Sequence, residues 1–249
     1  HYRRLKEWGW QLLNGLVFAT IGNHDCQVSG GVYDPTGFLQ ALQMPDNGDG
    51  TGRWYSCDVG IVHIAVIDTA SPTYRTIPQA CLDWLDADLT ASVQPWKLVM
   101  GHVSIPGQGP VSELTLAQGG ALYDILVARK ADIYLTGHQH VPNQVSAGKL
   151  MLLTAPELAT SNGASIAPWW NVSINSIAEG ARPIKSGSWL GSNANLVGAA
   201  GTVRQGWMKL DFRATYVDIH WFNGAGEQYT GYRLRKRGGR PAATRTARA

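Results

Sequence analysis

A chain of 249 residues, 44% hydrophobic and 16% charged, is long and apolar enough to bury the core of one sizeable domain. No run of about 18 apolar residues occurs, which excludes a transmembrane helix. Three scattered cysteines, Cys26, Cys57 and Cys81, exclude a disulfide framework and a C-x-x-C metal knuckle.

From the first residue, His1, residues 2–14 read as an amphipathic helix, with Leu5, Trp8, Leu12 and Leu13 near helical spacing. Residues 16–21 read as a buried strand that ends at Gly22. Two turn-rich stretches, "SGGVYDPTG" and "MPDNGDGTG", flank a short helix around 36–43. Residues 53–69 predict a hairpin with its turn at Val59-Gly60 and a very apolar second strand, 61–67. Residues 77–92 place Cys81, Trp84, Leu85 and Leu89 on one helix face, residues 96–102 form a strand ending in Gly-His, and residues 116–130 form another helix. Residues 131–140 form a strand ending in Gly-His-Gln-His, and two strands follow at 144–147 and 150–154.

The stretch 157–203 is rich in Gly, Ser, Asn and Ala and holds Trp169, Trp170 and Trp189; it is too long for a passive connection and reads as an insert or lid loop. Three strands, near 204–211, 215–222 and 228–235, close the fold. Residues 233–249 carry seven basic residues and no acid, so taking seven from the net charge of +3 leaves −4 for the rest. The body lacks the sign of a nucleic-acid-binding face, and residues 236–249 read as a solvated, disordered tail. Residues 1–235 are then one domain. Strand, helix, strand, helix, strand over 16–136 defines an α/β fold with parallel neighbours, whose ligands belong beyond the carboxyl ends of the strands.

Three strands end alike at that edge: Gly22-Asn23-His24-Asp25, Gly101-His102 and Gly137-His138-Gln139-His140. Glycine permits a tight turn and close backbone approach, so four of the seven histidines, an amide and a carboxylate converge. Imidazole nitrogen beside amide and carboxylate oxygen suits Zn, Fe or Mn. Other candidates read as structural. His63 packs within its strand, Asp68 caps the same strand, and His220 lies in a late strand. Asp46, Asn47 and Asp49 form a polar turn without the closing Glu of an EF-hand, and Cys26 is a small packed residue.

These motifs, in this order, resemble the G-N-H-[DE], G-H and G-H-x-H signatures of the calcineurin-like metallophosphoesterase superfamily. "RWYSCDVGIVHIAVIDT", "PWKLVMGH" and the closing strands are most similar to its purple acid phosphatase and tartrate-resistant acid phosphatase branch. The resemblance implies a two-sheet sandwich flanked by helices, and two divalent or trivalent metal ions. It implies a phosphate-ester small-molecule substrate, cleaved by a metal-activated water in a phosphomonoesterase of acid-phosphatase type. The alternatives are a phosphodiesterase of cyclic-nucleotide or phospholipid type and a non-catalytic binding module. By the same resemblance Asn23, His102 and His138 bind one metal and His140 the other. His24 protonates the leaving oxygen, and Asp25 orients it and raises its pKa. The superfamily's D-x-[HG] and G-D-x-x-[DY] motifs are absent before Gly22. The chain therefore reads as the family's C-terminal two-thirds, lacking the first strands of the sheet and inactive alone. The branch favours a secreted or periplasmic protein.

Overall fold

The computed structural model describes residues 17–30, 32–70, 72–106, 113–139, 143–155, 206–223 and 227–236. The expected helix at 2–14, the 157–203 stretch with its three tryptophans, and the tail beyond Lys236 lie outside these residues.

The chain first forms a small hairpin, β1 (Gln27–Ser29) and β2 (Val32–Asp34), and a one-and-a-half-turn helix, α1 (Thr36–Ala41). Next come β3 (Tyr55–Val59), β4 (Val62–Val66), α2 (Gln79–Ala91), β5 (Trp96–Met100), α3 (Leu116–Ala128) and β6 (Ile133–Thr136). β7 (Asn143–Ala147) and β8 (Leu150–Thr154) follow, and β9 (Gly206–Phe212), β10 (Tyr216–Asn223) and β11 (Gln228–Arg235) end the described chain.

β3 to β8 make one six-stranded sheet in the order β3-β4-β5-β6-β8-β7. The inner strands β4, β5, β6 and β8 are parallel, and β3 and β7 run antiparallel at the edges. Inner strands buried on both faces must be apolar throughout, and their alternation assigns each side chain to a layer. Ala65, Val99, Tyr134 and Leu152 face α2 and α3, where Cys81, Leu82, Leu85, Leu89, Leu122 and Leu126 complete a core. Trp96, Leu98, Ile133, Met151 and Leu153 face the other way, onto Val217, Ile219 and Trp221 of β10. β10 is the centre of a three-stranded antiparallel sheet, β11-β10-β9. The layers are thus helices, sheet, sheet, a mixed α/β sandwich as the sequence predicted.

Lys97, on β5, reaches past the sheet and donates through Nζ to the carbonyls of Leu89 and Arg129, at the C-terminal ends of α2 and α3. A cation there satisfies orphan carbonyls and opposes the negative end of each helix dipole. Arg129 adds a two-pronged pair to Asp86 at 2.7 Å, tying α3 to α2.

Four expectations are corrected. Residues 17–22 form no strand: the N–H and C=O of Ala19 both bond the Tyr55 hydroxyl, at 2.9 and 2.8 Å, so a side chain takes the place of a ladder partner. The β3–β4 turn falls one residue later than predicted, at Gly60-Ile61, because Val59 pairs with Val62 and the positive φ (58°) falls to glycine. "SGGVYDPTG" contains β2 rather than turns alone; strands of three residues are too short to show alternation. Lys236, assigned to the tail, belongs to the body: Nζ lies 2.7 Å from Asp132 Oδ2 and 4.6 Å from the centre of the Trp96 ring.

Candidate metal and phosphate site

The carboxyl ends of β4, β5 and β6 open on one side, and the site is assembled there from the turns that follow. Hydrogen bonding continues past the strand ends, from Ile67 N to Met100 O (2.8 Å), Gly101 N to Leu135 O (3.0 Å) and Gly137 N to His102 O (3.1 Å). The backbone that carries His102 and His138 is therefore fixed by the sheet itself.

Gly22-Asn23-His24-Asp25 is a closed turn. Asp25 N donates to Gly22 O at 3.0 Å, and Gly22 N donates to Asp25 Oδ2 at 2.8 Å. Asn23 and His24 occupy its corner; His24 is exposed, and Asn23 Oδ1 lies 2.8 Å from His102 Nε2. The turn fits against His102 because residue 22 has no side chain: a Cβ there would stand 3.1 Å from His102 Cε1 and Nδ1 and 3.0 Å from Asp25 Oδ2. The Asp25 carboxylate, which the sequence assigned to orienting His24, also closes the turn on Gly22 N.

His102 is held from below by Thr69, a fully buried residue just past β4. Thr69 Oγ1 accepts from His102 N at 3.1 Å and from Val103 N at 2.9 Å. Gly101 is a second close approach, since a Cβ there would lie 2.7 Å from the buried Tyr134 hydroxyl. His138 adopts φ 59°, a left-handed conformation uncommon outside glycine. Its neighbour Gln139 turns inward, fully buried, and donates through Nε2 to Ser104 Oγ. The rings of His102 and His138 stand edge to face, 5.1 Å apart. His140, the expected ligand of the second metal, lies outside the described residues.

Sequence reasoning missed two residues here, Thr69 and Tyr74. Tyr74, in the loop between β4 and α2, brings its hydroxyl to 2.5 Å from His138 Nε2, with ring centres 5.5 Å apart. Thr69 and Tyr74 carry no motif of their own; the "IDT" at the end of a strong strand was the only cue to the first.

The residues read as structural behave so. Asp68 is fully buried, accepts from Arg53 Nε and Nη2 at 3.0 and 2.9 Å, and takes Ala70 N on its other oxygen. Asp49 Oδ1 accepts from the backbone of Thr51 and Gly52, closing a polar turn. Cys26 is buried, and burial, helped by the charges of Asp68 and Asp25, pushes its thiol up to about 12, which keeps it inert. His220 Nε2 is 3.5 Å from Asp211 Oδ2. His63 is clamped between Asp58 Oδ1 (2.8 Å) and Asp88 Oδ2 (2.7 Å) on the helix side of the sheet.

Among the described residues no group of three or more His, Cys, Asp or Glu side chains could hold a metal ion. The donors brought together are two imidazoles and an amide oxygen. Their chemistry fits one first-row ion, because His102 Nε2 faces Asn23 Oδ1 and His138 offers a second nitrogen beside it.

In this mixed sandwich the turn at Gly22–Asp25 sets Asn23 against His102, which stands beside His138 past the carboxyl ends of β5 and β6. Residues 2–142, more than half of the chain, match the family model of the calcineurin-like phosphoesterases, and the chain belongs to that family. Among solved structures, a purple acid phosphatase, PPD1, from yellow lupin (Lupinus luteus) seeds matches at 14% identity and TM-score 0.62, over 87% of this chain and 40% of its own. GAP50, described as the anchor in the inner membrane complex of Plasmodium, matches at 16% identity and TM-score 0.53, over 83% of this chain and 64% of its own. PhoD matches at 9% identity and TM-score 0.55, over 86% of this chain and 48% of its own. The chain therefore spans less than two-thirds of each, and at these identities the likeness is one of fold. No curated protein sequence matches. No described helix is long and apolar enough to cross a membrane.

Proposed function

We propose that this chain carries the metal-binding end of a phosphoric ester hydrolase, and that it acts on phosphomonoesters in the manner of an acid phosphatase. The observation that carries this reading is the meeting of Asn23 Oδ1 with His102 Nε2 at 2.8 Å, beside His138, within the family match. Asn23, His102 and His138 hold one ion, and His140 contributes to a second; Fe, Zn and Mn all suit these donors. Bound metal supplies an activated water at neutral pH and neutralises phosphate oxygens. His24 stands outside this donor set on an exposed corner, free to face a substrate; it stabilises the phosphoryl group and hands a proton to the leaving oxygen. Asp25 fixes the turn from which His24 projects.

The test is made on the full-length protein with p-nitrophenyl phosphate and bis(p-nitrophenyl) phosphate. The monoester is the better substrate, and a preference for the diester refutes the acid-phosphatase reading. His24→Ala lowers turnover by roughly 10²–10⁴, the usual size of a general-acid contribution, while bound metal, counted by mass spectrometry, stays. His138→Ala loses metal. Equal loss of metal from both variants removes the role given to His24. A binding module without catalysis is a second reading, favoured by the likeness to GAP50, an anchor. It predicts intact metal or ligand binding with no turnover of either ester.

A further inference from the structure

The parallel strands that end at the site begin at the opposite end of the sandwich. Backbone bonds fix the order of that end across the sheet. Trp96 N donates to Ile61 O at 3.1 Å, Asp132 N to Lys97 O at 2.9 Å and Met151 N to Asp132 O at 2.9 Å. The second sheet meets it there, because Trp96 Nε1 donates to Arg213 O at 2.6 Å and Lys236 N to Thr215 O at 2.8 Å. The turns at 59–61, 92–95, 129–132, 148–149 and 213–215, with Arg235 and Lys236, therefore share one end of the molecule.

Two kinds of side chain gather on it. Among the described residues seven large hydrophobic side chains are exposed, and four of them lie here: Val59, Ile61, Val93 and Val127. Val93, in the turn before β5, is 93% exposed. Single exposed aliphatics are ordinary, but a group of them bordered by charge marks a contact surface. The charge comes from Lys130, Lys149, Arg213 and Arg235, all exposed. Among the described residues Lys130, Lys149 and Arg235 enter no ion pair. The acids at this end are engaged: Asp132 is buried against Lys236 Nζ, Asp58 takes His63 and Gln94, and Asp86 takes Arg129. Lys236 is pinned here, and residues 237–249 after it add Arg237, Arg240, Arg245 and Arg248 and no acid.

We propose that this end is a docking surface for an anionic lipid membrane: the basic residues meet its headgroups, and the four aliphatic side chains enter its polar boundary. Cations beside exposed aliphatic tips complement both parts of such a surface. A nucleic acid offers the same charge but is gripped through aromatic platforms as well. Among the described residues the exposed aromatic, Trp207, lies at the other end of β9 from Arg213. Docked this way, the molecule turns the carboxyl ends of β5 and β6, with His102 and His138, away from the lipid, so a soluble ester reaches the site. The docking does not depend on which ester the site cleaves.

The experiment is co-sedimentation of the full-length protein with vesicles of phosphatidylcholine alone and of phosphatidylcholine mixed equally with phosphatidylglycerol, at low and high salt. Wild type sediments with the mixed vesicles, and high salt weakens that binding. Each cation near the surface contributes about fivefold in partition, so the double variant Lys130→Gln, Lys149→Gln binds about 25-fold more weakly. Val93→Ser weakens binding severalfold at both salt concentrations, because its contribution is apolar. All three side chains are exposed, so the variants keep the wild-type urea midpoint. Absent binding, or equal sedimentation with both vesicles, overturns the proposal. So does binding to the mixed vesicles that the lysine and valine variants leave unchanged, which would give the arginines after Lys236 the whole effect. Tighter binding to a duplex oligonucleotide than to the mixed vesicles at the same salt makes the partner a nucleic acid and overturns it too.

Discussion

Replacing His63 by Leu tests whether its two carboxylate contacts stabilise the fold. His63 lies in β4, beside Lys97 of β5 in register, and its side chain is 7% exposed. Nδ1 meets Asp58 of β3 and Nε2 meets Asp88 of α2, so one ring joins an edge hairpin to a helix. Burial alone pulls the His63 pKa down; the hydrogen bonds the ring donates to Asp88 and Asp58, with their charges, outweigh it, and the pKa is raised. The Asp88 side chain is 17% exposed and also takes Ser56 Oγ at 2.7 Å, whereas that of Asp58 is 51% exposed and also takes Gln94 Nε2. A hydrogen bond between charged groups contributes about 1.5–3 kcal/mol when shielded and about 0.5–1 kcal/mol when exposed, so His63→Leu costs about 2–4 kcal/mol with the ring protonated. Because the folded-state pKa is raised, this contribution is complete below the ordinary histidine value of about 6.5 and is lost as pH rises through the folded value. Urea denaturation of both proteins from pH 5.5 to 9 measures the gap between them; taking the difference cancels every other titrating group. The gap is largest at pH 5.5 to 6 and narrows towards pH 9. A gap that is constant with pH, or one that widens, refutes the reasoning.

Gly101→Ala sets a methyl 2.7 Å from the Tyr134 hydroxyl, which is buried and donates to Val103 O. Overpacking of this kind costs about 1–3 kcal/mol, read as a lower urea midpoint. Thr69→Val keeps the shape but removes the acceptor shared by His102 N and Val103 N. Losing this acceptor from the buried Val103 N–H and the part-buried His102 N–H destabilises by about 1–3 kcal/mol, and Thr69→Ser restores most of it in the same titration.

The sequence by itself determined the α/β layers and the meeting of His102 with His138. Runs such as Val62–Val66 and Trp96–Met100 are apolar on both faces but for His63 and Lys97, as strands covered on both faces are. The helices at Gln79–Ala91 and Leu116–Ala128 fell where apolar spacing put them. Gly-His at consecutive parallel strand ends was enough to bring His102 beside His138, since parallel neighbours share a carboxyl edge. What only the tertiary structure decided lies between elements distant in sequence. Residues 16–21 read as a strand because strand propensity is local, but a ladder needs a partner, and Tyr55 supplied a hydroxyl to Ala19 instead. Asp58, Asp88 and His63 come from three elements, so their clamp has no linear spacing to read. Tyr74 stands in an unremarkable loop, and its reach to His138 follows from how that loop is tied to Tyr33, Glu113 and Thr115. Periodicity records which face a residue presents to its own element; it holds no record of which loop will cross that face.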